Sequence, residues 1–268
     1  MWACPHCRLE LHPSADASSL ACANGHAFDR AREGYVNLLP ANRKRSPDPG
    51  DNAEMVAARR RVHHADIYRR LADAVVAELA AEKVEGSVLD LGCGEGYYTQ
   101  SLVVALSTAS IYGVDISRSA ARLAAKKCPA ADIAVASAYS LPVPDGFLDA
   151  VVRIFAPSDD GELVRVMKPG AFYLEVGPAP RHLWQLREGL YDRPQAHAHA
   201  RADIEGMTLH RSSELQYEMR PAPGQLADII SMTPFAHRAP EQRRDSLLAS
   251  EVPAVTMAFS LRLFRRSS

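Results

Sequence analysis

Residues 87–100 read Ser87-Val88-Leu89-Asp90-Leu91-Gly92-Cys93-Gly94-Glu95-Gly96-Tyr97-Tyr98-Thr99-Gln100. Val88, Leu89 and Leu91 make an apolar run of strand length, and Gly92, Gly94 and Gly96 follow at alternate positions. The pattern predicts a buried parallel strand, a tight turn and a helix. In an open α/β sheet such a turn lies at the carboxyl end of a strand, where ligands bind. Glycine permits positive φ there and lets the backbone approach a ligand closely. The spacing is G-x-G-x-G, unlike the G-x-G-x-x-G of dinucleotide folds, and no Lys-Ser/Thr follows as in a phosphate-gripping loop.

Downstream, a helix is expected over 97–106, with its positive dipole end facing the loop and suited to a carboxylate. A strand over 110–115 ends in Asp115, about twenty residues past the loop, where a carboxylate suits the ribose hydroxyls of an adenosine. The competing role for Asp115 is to cap the next helix. Then come a helix over 118–128, a strand over 132–136, a loop over 137–142 and a turn over 145–149. A strand over 150–155, a helix over 160–168, a Lys168-Pro169-Gly170 turn and a strand over 171–176 follow. A strand over 207–219 with an Arg211-Ser212 turn, a helix over 226–232 and a strand over 252–263 complete a seven-stranded α/β sheet. His182 follows a strand end on the ligand side, whereas His197 and His199 read as loop residues.

Upstream, Asp51 with Glu54 suits a capping box. Ile67, Leu71, Val75 and Leu79 then form the apolar stripe of one helix. Tyr68 sits beside that stripe, as a covering aromatic or as part of a cofactor lid.

The amino terminus carries a different pattern. Cys4 and Cys7 form C-x2-C, and Cys22 and His26 form C-x3-H. Three thiolates and one imidazole in two close pairs suit a tetrahedral, closed, structural Zn²⁺. The spacer is long enough for a hairpin, and metal would supply much of the folding energy of so short a segment. His6 and His12 are rival donors. Phe28, Tyr35, Leu38 and Leu39 are expected to pack around the knuckle. Residues 1–40 therefore read as a zinc module, 41–52 as a basic linker and 53–268 as the larger domain. Arg43, Lys44 and Arg45, with Arg59, Arg60 and Arg61, are candidates for phosphate contacts.

At 268 residues the chain fits a good-sized domain plus a small module. Hydrophobic residues at 47%, charged at 24% and a net charge of −1 match a soluble globular protein and leave overall charge silent about nucleic acid. No apolar run has membrane-spanning length, and no signal peptide is evident. Five cysteines, an odd number, then point to the cytoplasm and away from a disulfide framework.

The string Val88-Leu89-Asp90-Leu91-Gly92-Cys93-Gly94-Glu95-Gly96 resembles motif I of class I S-adenosylmethionine-dependent methyltransferases. The strand ending Arg153-Ile154-Phe155-Ala156-Pro157 lacks the Asn/Asp-Pro-Pro-Tyr/Phe of enzymes that methylate exocyclic amines. With the zinc pattern, Glu33-Gly34-Tyr35-Val36-Asn37-Leu38-Leu39-Pro40, Asp48-Pro49-Gly50-Asp51, Pro180-Arg181-His182-Leu183 and Met232-Thr233-Pro234-Phe235, nearly the whole chain resembles the RlmA-type 23S rRNA (guanine-N1)-methyltransferases.

The resemblance implies a Rossmann-like class I methyltransferase sheet with a small zinc-binding domain. It also implies S-adenosylmethionine as donor, a 23S rRNA hairpin as substrate and a homodimer. Tyr68, Gly94, Glu95 and His182 carry over as cofactor contacts, and Asp90, Gly92, Gly96 and Asp115 join them from the loop and strand ends. Ala179 stands where the family pattern has glycine. No motif identifies the group that takes the guanine proton. Two rivals are a small-molecule methyltransferase, which needs no zinc module, and a non-catalytic zinc RNA-binding protein, which needs no intact glycine loop.

Overall fold

The computed structural model describes residues 2–40, 52–198, 203–222, 224–233, 239–250 and 254–268. Arg43, Lys44, Arg45, Asp51, His199, Pro234 and Phe235 lie outside the described residues.

The amino-terminal segment forms β1 (His12–Pro13), β2 (Ser19–Ala21) and β3 (Ala27–Asp29), a small antiparallel sheet, and then β4 (Val36–Asn37). The large sheet adds β5 (Gly86–Leu91), β6 (Ala109–Asp115), β7 (Asp132–Val135), β8 (Leu148–Ile154), β9 (Met167–Pro178), β10 (Met207–Met219) and β11 (Val255–Arg266). Its order is β10-β11-β9-β8-β5-β6-β7-β4. The pairs from β9 through β8, β5, β6 and β7 to β4 are parallel, and β11 runs antiparallel to both β9 and β10.

The seven expected strands are thus present, and β4 adds an eighth. Val36 and Asn37 pair with Ala134 and Val135, so the amino-terminal segment extends the main sheet. This explains why Tyr35 and Leu39 do not gather at the zinc knuckle, whereas Leu38 shares a cluster with Cys4, Cys22 and Leu20. Tyr35 and Leu39 pack with Cys93, Ala121 and Ile133. Leu38 joins Leu89, Leu91 and Val114 on the other face. Phe28 packs against that same cluster and stacks on His6 at 5.9 Å. Trp2 places its edge against Tyr112 at 5.8 Å, and Arg30 pairs with Asp132 at 2.9 Å.

The helices are α1 (Ala53–His64), α2 (Arg69–Ala81), α3 (Tyr97–Ala105), α4 (Arg118–Lys127), α5 (Asp160–Val166), α6 (Trp184–Leu190), α7 (Gln225–Ser231) and α8 (Glu241–Ala249). The cap of α1 is Asn52, whose side chain accepts from Met55 N at 2.9 Å, in place of the expected Asp51. The single helix expected through Leu79 is two, because Asp66 adopts φ 55 and breaks the chain between α1 and α2. The stripe survives the break: Leu71, Val75 and Leu79 are buried in the face that packs on the sheet. Each such leucine contributes about 1.5–3 kcal/mol relative to exposure.

Two expected turns are irregularities inside strands. Around Lys168-Pro169-Gly170 the register jumps from Leu148↔Met167 to Ala150↔Phe172, so the chain bulges within β9. At Arg211 the β10–β11 ladder shifts after Leu209 and continues. Strand β8 ends at Ile154 because Phe155 turns to φ 55.

Candidate active site and metal centre

A cavity of about 1180 Å³ opens at the carboxyl ends of β5, β6, β8 and β9. That exceeds the ~300–1,000 Å³ of a typical small-molecule site, leaving room for two reactants. Tyr68, Gly92, Gly94, Glu95, Asp115 and His182 line it. Asp90 and Gly96 lie behind its wall. Asp90 is 2% exposed and accepts from Thr99 Oγ1 at 2.6 Å. Burial pushes its carboxyl up to about 7, against the pull of the Thr99 hydroxyl. Gly96 starts α3 at φ 85, and a Cβ there would meet Ala124 Cα at 3.0 Å, so α4 packs directly on it.

On the β5–β6 side, backbone sets the geometry. Asp115 Oδ2 accepts from Gly94 N at 2.9 Å, and Oδ1 accepts from Ser117 N at 2.8 Å. One carboxylate therefore fixes both the glycine loop and the start of the next segment, while Ser117 caps α4. Gly92 has φ 80, and a Cβ there would lie 2.3 Å from Ala156 Cβ. The loop after β8 crosses directly over the glycine turn.

Glu95 is 4% exposed, takes a 2.7 Å hydrogen bond from His63 Nδ1 and pairs with Lys127 at 3.2 Å. Burial raises the Glu95 carboxyl, but the His63 hydrogen bond and the Lys127 charge outweigh it and hold the group below its ordinary value. Burial drives the His63 imidazole down, and Glu95 offsets this only in part. His63 stacks on Tyr97 at 4.1 Å and meets Tyr68 and Tyr98 edge-on at 5.7 Å. Sequence reading passed over His63, because the partner that explains it lies 32 residues away.

The β8–β9–β11 side is built from side chains. Register places Arg153 opposite Glu175, and Glu175 opposite Arg262. Both guanidiniums pair with the one carboxylate, and all three residues line the cavity. None was expected, yet each is a charge inside an apolar strand, a pattern uncommon without a buried partner. His182 is 6% exposed, and its Nδ1 accepts from Ala258 N at 3.2 Å. Burial, with the His197 and Arg187 charges, pushes its imidazole down to about 3. His197 is more than a loop residue: it lines the cavity, and Arg187 Nη2 donates to its ring at 2.8 Å. Of the basic residues on α1, Arg59 lines the cavity, Arg61 is clamped by both oxygens of Asp228, and Arg60 is exposed.

At the amino terminus, the donor atoms of Cys4, Cys7, Cys22 and His26 all lie within 4.8 Å of one another. His26 Nδ1 sits 3.5, 3.6 and 3.4 Å from the sulfurs of Cys4, Cys7 and Cys22. A tetrahedron with the usual Zn–S and Zn–N lengths has S···N edges of about 3.5 Å. The donors therefore fit a zinc ion closed by protein ligands. His6 is stacked between Phe28 and His26, and His12 is exposed.

Residues 2–47 match the RlmA amino-terminal zinc ribbon family, and residues 88–170 match a methyltransferase domain family. The chain is 36% identical to the 23S rRNA (guanine(748)-N(1))-methyltransferase of Streptomyces fradiae, over 70% of this chain and 66% of that protein. It is 32% identical to a provisionally named 23S rRNA (guanine-N(1)-)-methyltransferase of Micromonospora griseorubida, over 98% of this chain and 95% of the relative. A provisionally named Bacillus subtilis protein of the same kind is 31% identical over 91% and 89%. Among solved structures, a provisionally named methyltransferase of Bacillus halodurans superposes with a TM-score of 0.51 at 15% identity, over 73% of this chain and 98% of that one. Zinc ribbon, class I methyltransferase sheet and near full-length relatives agree: the chain belongs to the RlmA-type 23S rRNA (guanine-N1)-methyltransferases.

Proposed function

We propose that this protein transfers a methyl group from S-adenosylmethionine to N1 of one guanine in a hairpin loop of 23S rRNA. The observation that carries the reading is structural continuity. Strand β4, which follows the zinc ribbon, pairs with β7 in the same sheet whose strand ends hold the cavity. A small-molecule enzyme has no use for a ribbon fixed to its catalytic sheet. Stacking of an unpaired base and cationic contacts to phosphate are the usual means of holding a loop nucleotide. Phe28 and the exposed Arg60 are suited to these parts.

S-adenosylmethionine supplies an electrophilic methyl on a sulfonium. The chain's own residues position the reactants for in-line displacement. Asp115 has its two oxygens fixed by backbone donors at the carboxyl end of β6, where a carboxylate can accept from ribose hydroxyls. Gly92 and Gly94 let the loop backbone approach the donor, and Glu95 is held ready by His63 and Lys127. Tyr68 walls the cavity, buried between His63 and Phe259. His182 is neutral above about pH 3, with the Ala258 amide fixing its proton on Nε2. Asp90 and Gly96 shape the loop from behind. The zinc ion, held by Cys4, Cys7, Cys22 and His26, is structural.

The family resemblance also supports a cytoplasmic homodimer, which light scattering on the purified protein checks. Among the described residues, no helix is long and apolar enough to cross a membrane.

The central test is to incubate the protein with methyl-labelled S-adenosylmethionine and 23S rRNA that lacks the modification, then map the labelled base. Label is expected on N1 of a single guanine. Label on a lipid or quinone, or RNA binding with no transfer, would overturn the reading.

A further inference from the structure

Guanine presents two acceptors along one edge, O6 and N7, while N1 carries the proton that methylation must displace. We propose that Arg153, Glu175 and Arg262 form the subsite that reads O6 and N7 of the acceptor base and eases loss of the N1 proton. This rests on the guanine-N1 reading above.

The three side chains stand abreast on β8, β9 and β11, and all three line the cavity. Leu91, the residue before Gly92, pairs with Arg153 across β5 and β8, so donor loop and cluster share one strand level. Two guanidiniums face one carboxylate, which leaves the cluster with a formal charge of +1. A net charge buried on a cavity wall asks for an anionic or strongly polar partner.

The hydrogen-bond inventory points the same way. Arg153 Nη1 donates to Ser158 and Nη2 pairs with Glu175, but Nε has no partner among the described residues. Arg262 is 5% exposed and uses Nη2 on Glu175, while its Nε and Nη1 have no partner among the described residues. Buried donors of this kind are normally satisfied, so three in one cluster are donors for which the described residues supply no acceptor, and a base would reach them by a turn of the side chains toward the cavity. Each guanidinium also rests against a ring, Arg153 at 5.9 Å from Tyr173 and Arg262 at 5.3 Å from Phe264. At the lip, Phe155 is 46% exposed and held at φ 55, a strained conformation for an aromatic residue and a platform for a base.

Arginine N–H groups suit guanine O6 and N7, and here one N–H from each guanidinium would meet them, since Glu175 and Ser158 already hold the rest. Adenine offers an amino group in place of O6 and would set N–H against N–H. The same charge acts on the reaction. As the N1–H bond gives its proton to water, negative charge spreads onto O6, next to the cationic cluster. The N1 electron pair forms the N1–CH₃ bond, and the pair of the breaking S–CH₃ bond stays on sulfur. Glu175 takes no proton in this scheme; it orients both arginines.

The test uses the full-length protein and a transcript of the mapped hairpin. Arg153→Gln and Arg262→Gln are each expected to bind S-adenosylmethionine within about twofold of the parent and to lose about 10- to 100-fold in kcat/KM. They should also require a higher pH to reach their maximal rate. Arg153→Lys keeps charge without the fork, so it should lose kcat/KM but retain the parent's pH profile. Unchanged kcat/KM and pH profile in both Gln variants would overturn the proposal, as would cofactor affinity falling in step with transfer, the mark of a merely structural clip. If the variants do not fold, the parent protein decides with altered RNA. A transcript with 7-deazaguanine, which lacks N7 but keeps N1–H, should react about tenfold more slowly, and one with inosine should react at nearly the normal rate. Equal rates for 7-deazaguanine and guanine, or equal slowing of inosine and 7-deazaguanine, overturn the subsite. A parent protein that labels no guanine at all overturns the guanine reading, and the subsite with it.

Discussion

The two sides of the cavity are made by different means. On the β5–β6 side the shape is set by backbone, a glycine turn, two amides held by Asp115 and the start of α3, with Asp115 and Glu95 as its carboxylates. On the β8–β9–β11 side it is a set of charged and aromatic side chains brought together by strand register. A backbone wall suits a ligand that never changes, because its shape depends on φ values and close approach. A side-chain wall suits an acceptor that must be distinguished from similar bases.

The sharpest way to break this contrast is within the glycine turn itself. Gly92 and Gly94 both have positive φ, at 80° and 55°. A Cβ on Gly92 would collide with Ala156, whereas one on Gly94 would meet nothing within 4 Å. Gly92→Ala should therefore damage both fold and binding, with a stability loss of several kcal/mol, about the scale of overpacking plus backbone strain. Gly94→Ala should cost only about 1 kcal/mol, the strain of a left-handed alanine. It should still lose S-adenosylmethionine affinity, because the space beyond its Cα is cavity. Thermal denaturation and calorimetric titration separate the two. Equal loss of stability in both would show that the turn is merely a structural bend.

The zinc ribbon gives a second, intermediate effect. Its donors hold a small sheet, but Trp2, Cys4, Leu11 and Leu20 also belong to the core on one face of the main sheet. Cys22→Ser, or prolonged chelation, should unfold the ribbon and abolish methylation of the hairpin. Cofactor binding should be weakened less than tenfold, because Tyr35 and Leu39, which pack against Cys93 of the glycine loop, flank β4 and are held by its pairing with β7 in the main sheet. Dichroism, metal analysis and cofactor titration check this. Cofactor binding lost in full on chelation would mean that β4 is essential to the catalytic sheet.

The same contrast explains how much could be read from sequence. The glycine turn is contiguous, and its spacing, preceding strand and following helix all fall within 87–100, so it announces itself. The metal ligands are two local pairs. Arg153, Glu175 and Arg262 are spread over three strands and become neighbours only through the antiparallel return of β11. Nothing local links them, although a charge in Leu148–Ile154 is a visible anomaly. His63 escaped for a related reason: the helix carrying it was read as one with the next, and the break at Asp66 that seats Tyr68 has no proline or glycine to signal it. Strand β4 was hidden because two residues carry no periodicity.

The smallest effect tests whether Asp90 belongs to the wall or to the space behind it. Burial raises its carboxyl to about 7, from an ordinary value of 3.8. The folded protein therefore keeps a proton there that the unfolded chain releases between those values. The resulting stability is full below the unfolded value and is lost as pH rises through about 7. His182, depressed to about 3, works in the opposite sense: its contribution is present above its unfolded value of 6.5 and is lost as pH falls towards 3. The parent's total pH curve mixes the two, so the difference between parent and Asp90→Asn isolates Asp90. Asparagine keeps a neutral acceptor for Thr99 and cannot ionise. The variant should match the parent at pH 4 and melt about 2–4 °C higher at pH 8, the scale of roughly 1 kcal/mol in a protein of this size. Cofactor affinity should stay within about threefold, since Asp90 is covered by Thr99 and does not line the cavity. A variant with no pH-dependent gain and a large loss of cofactor affinity would put Asp90 in the binding wall as an ionised carboxylate beside Asp115 and Glu95, and the turn's backbone would no longer account for the shape of that side.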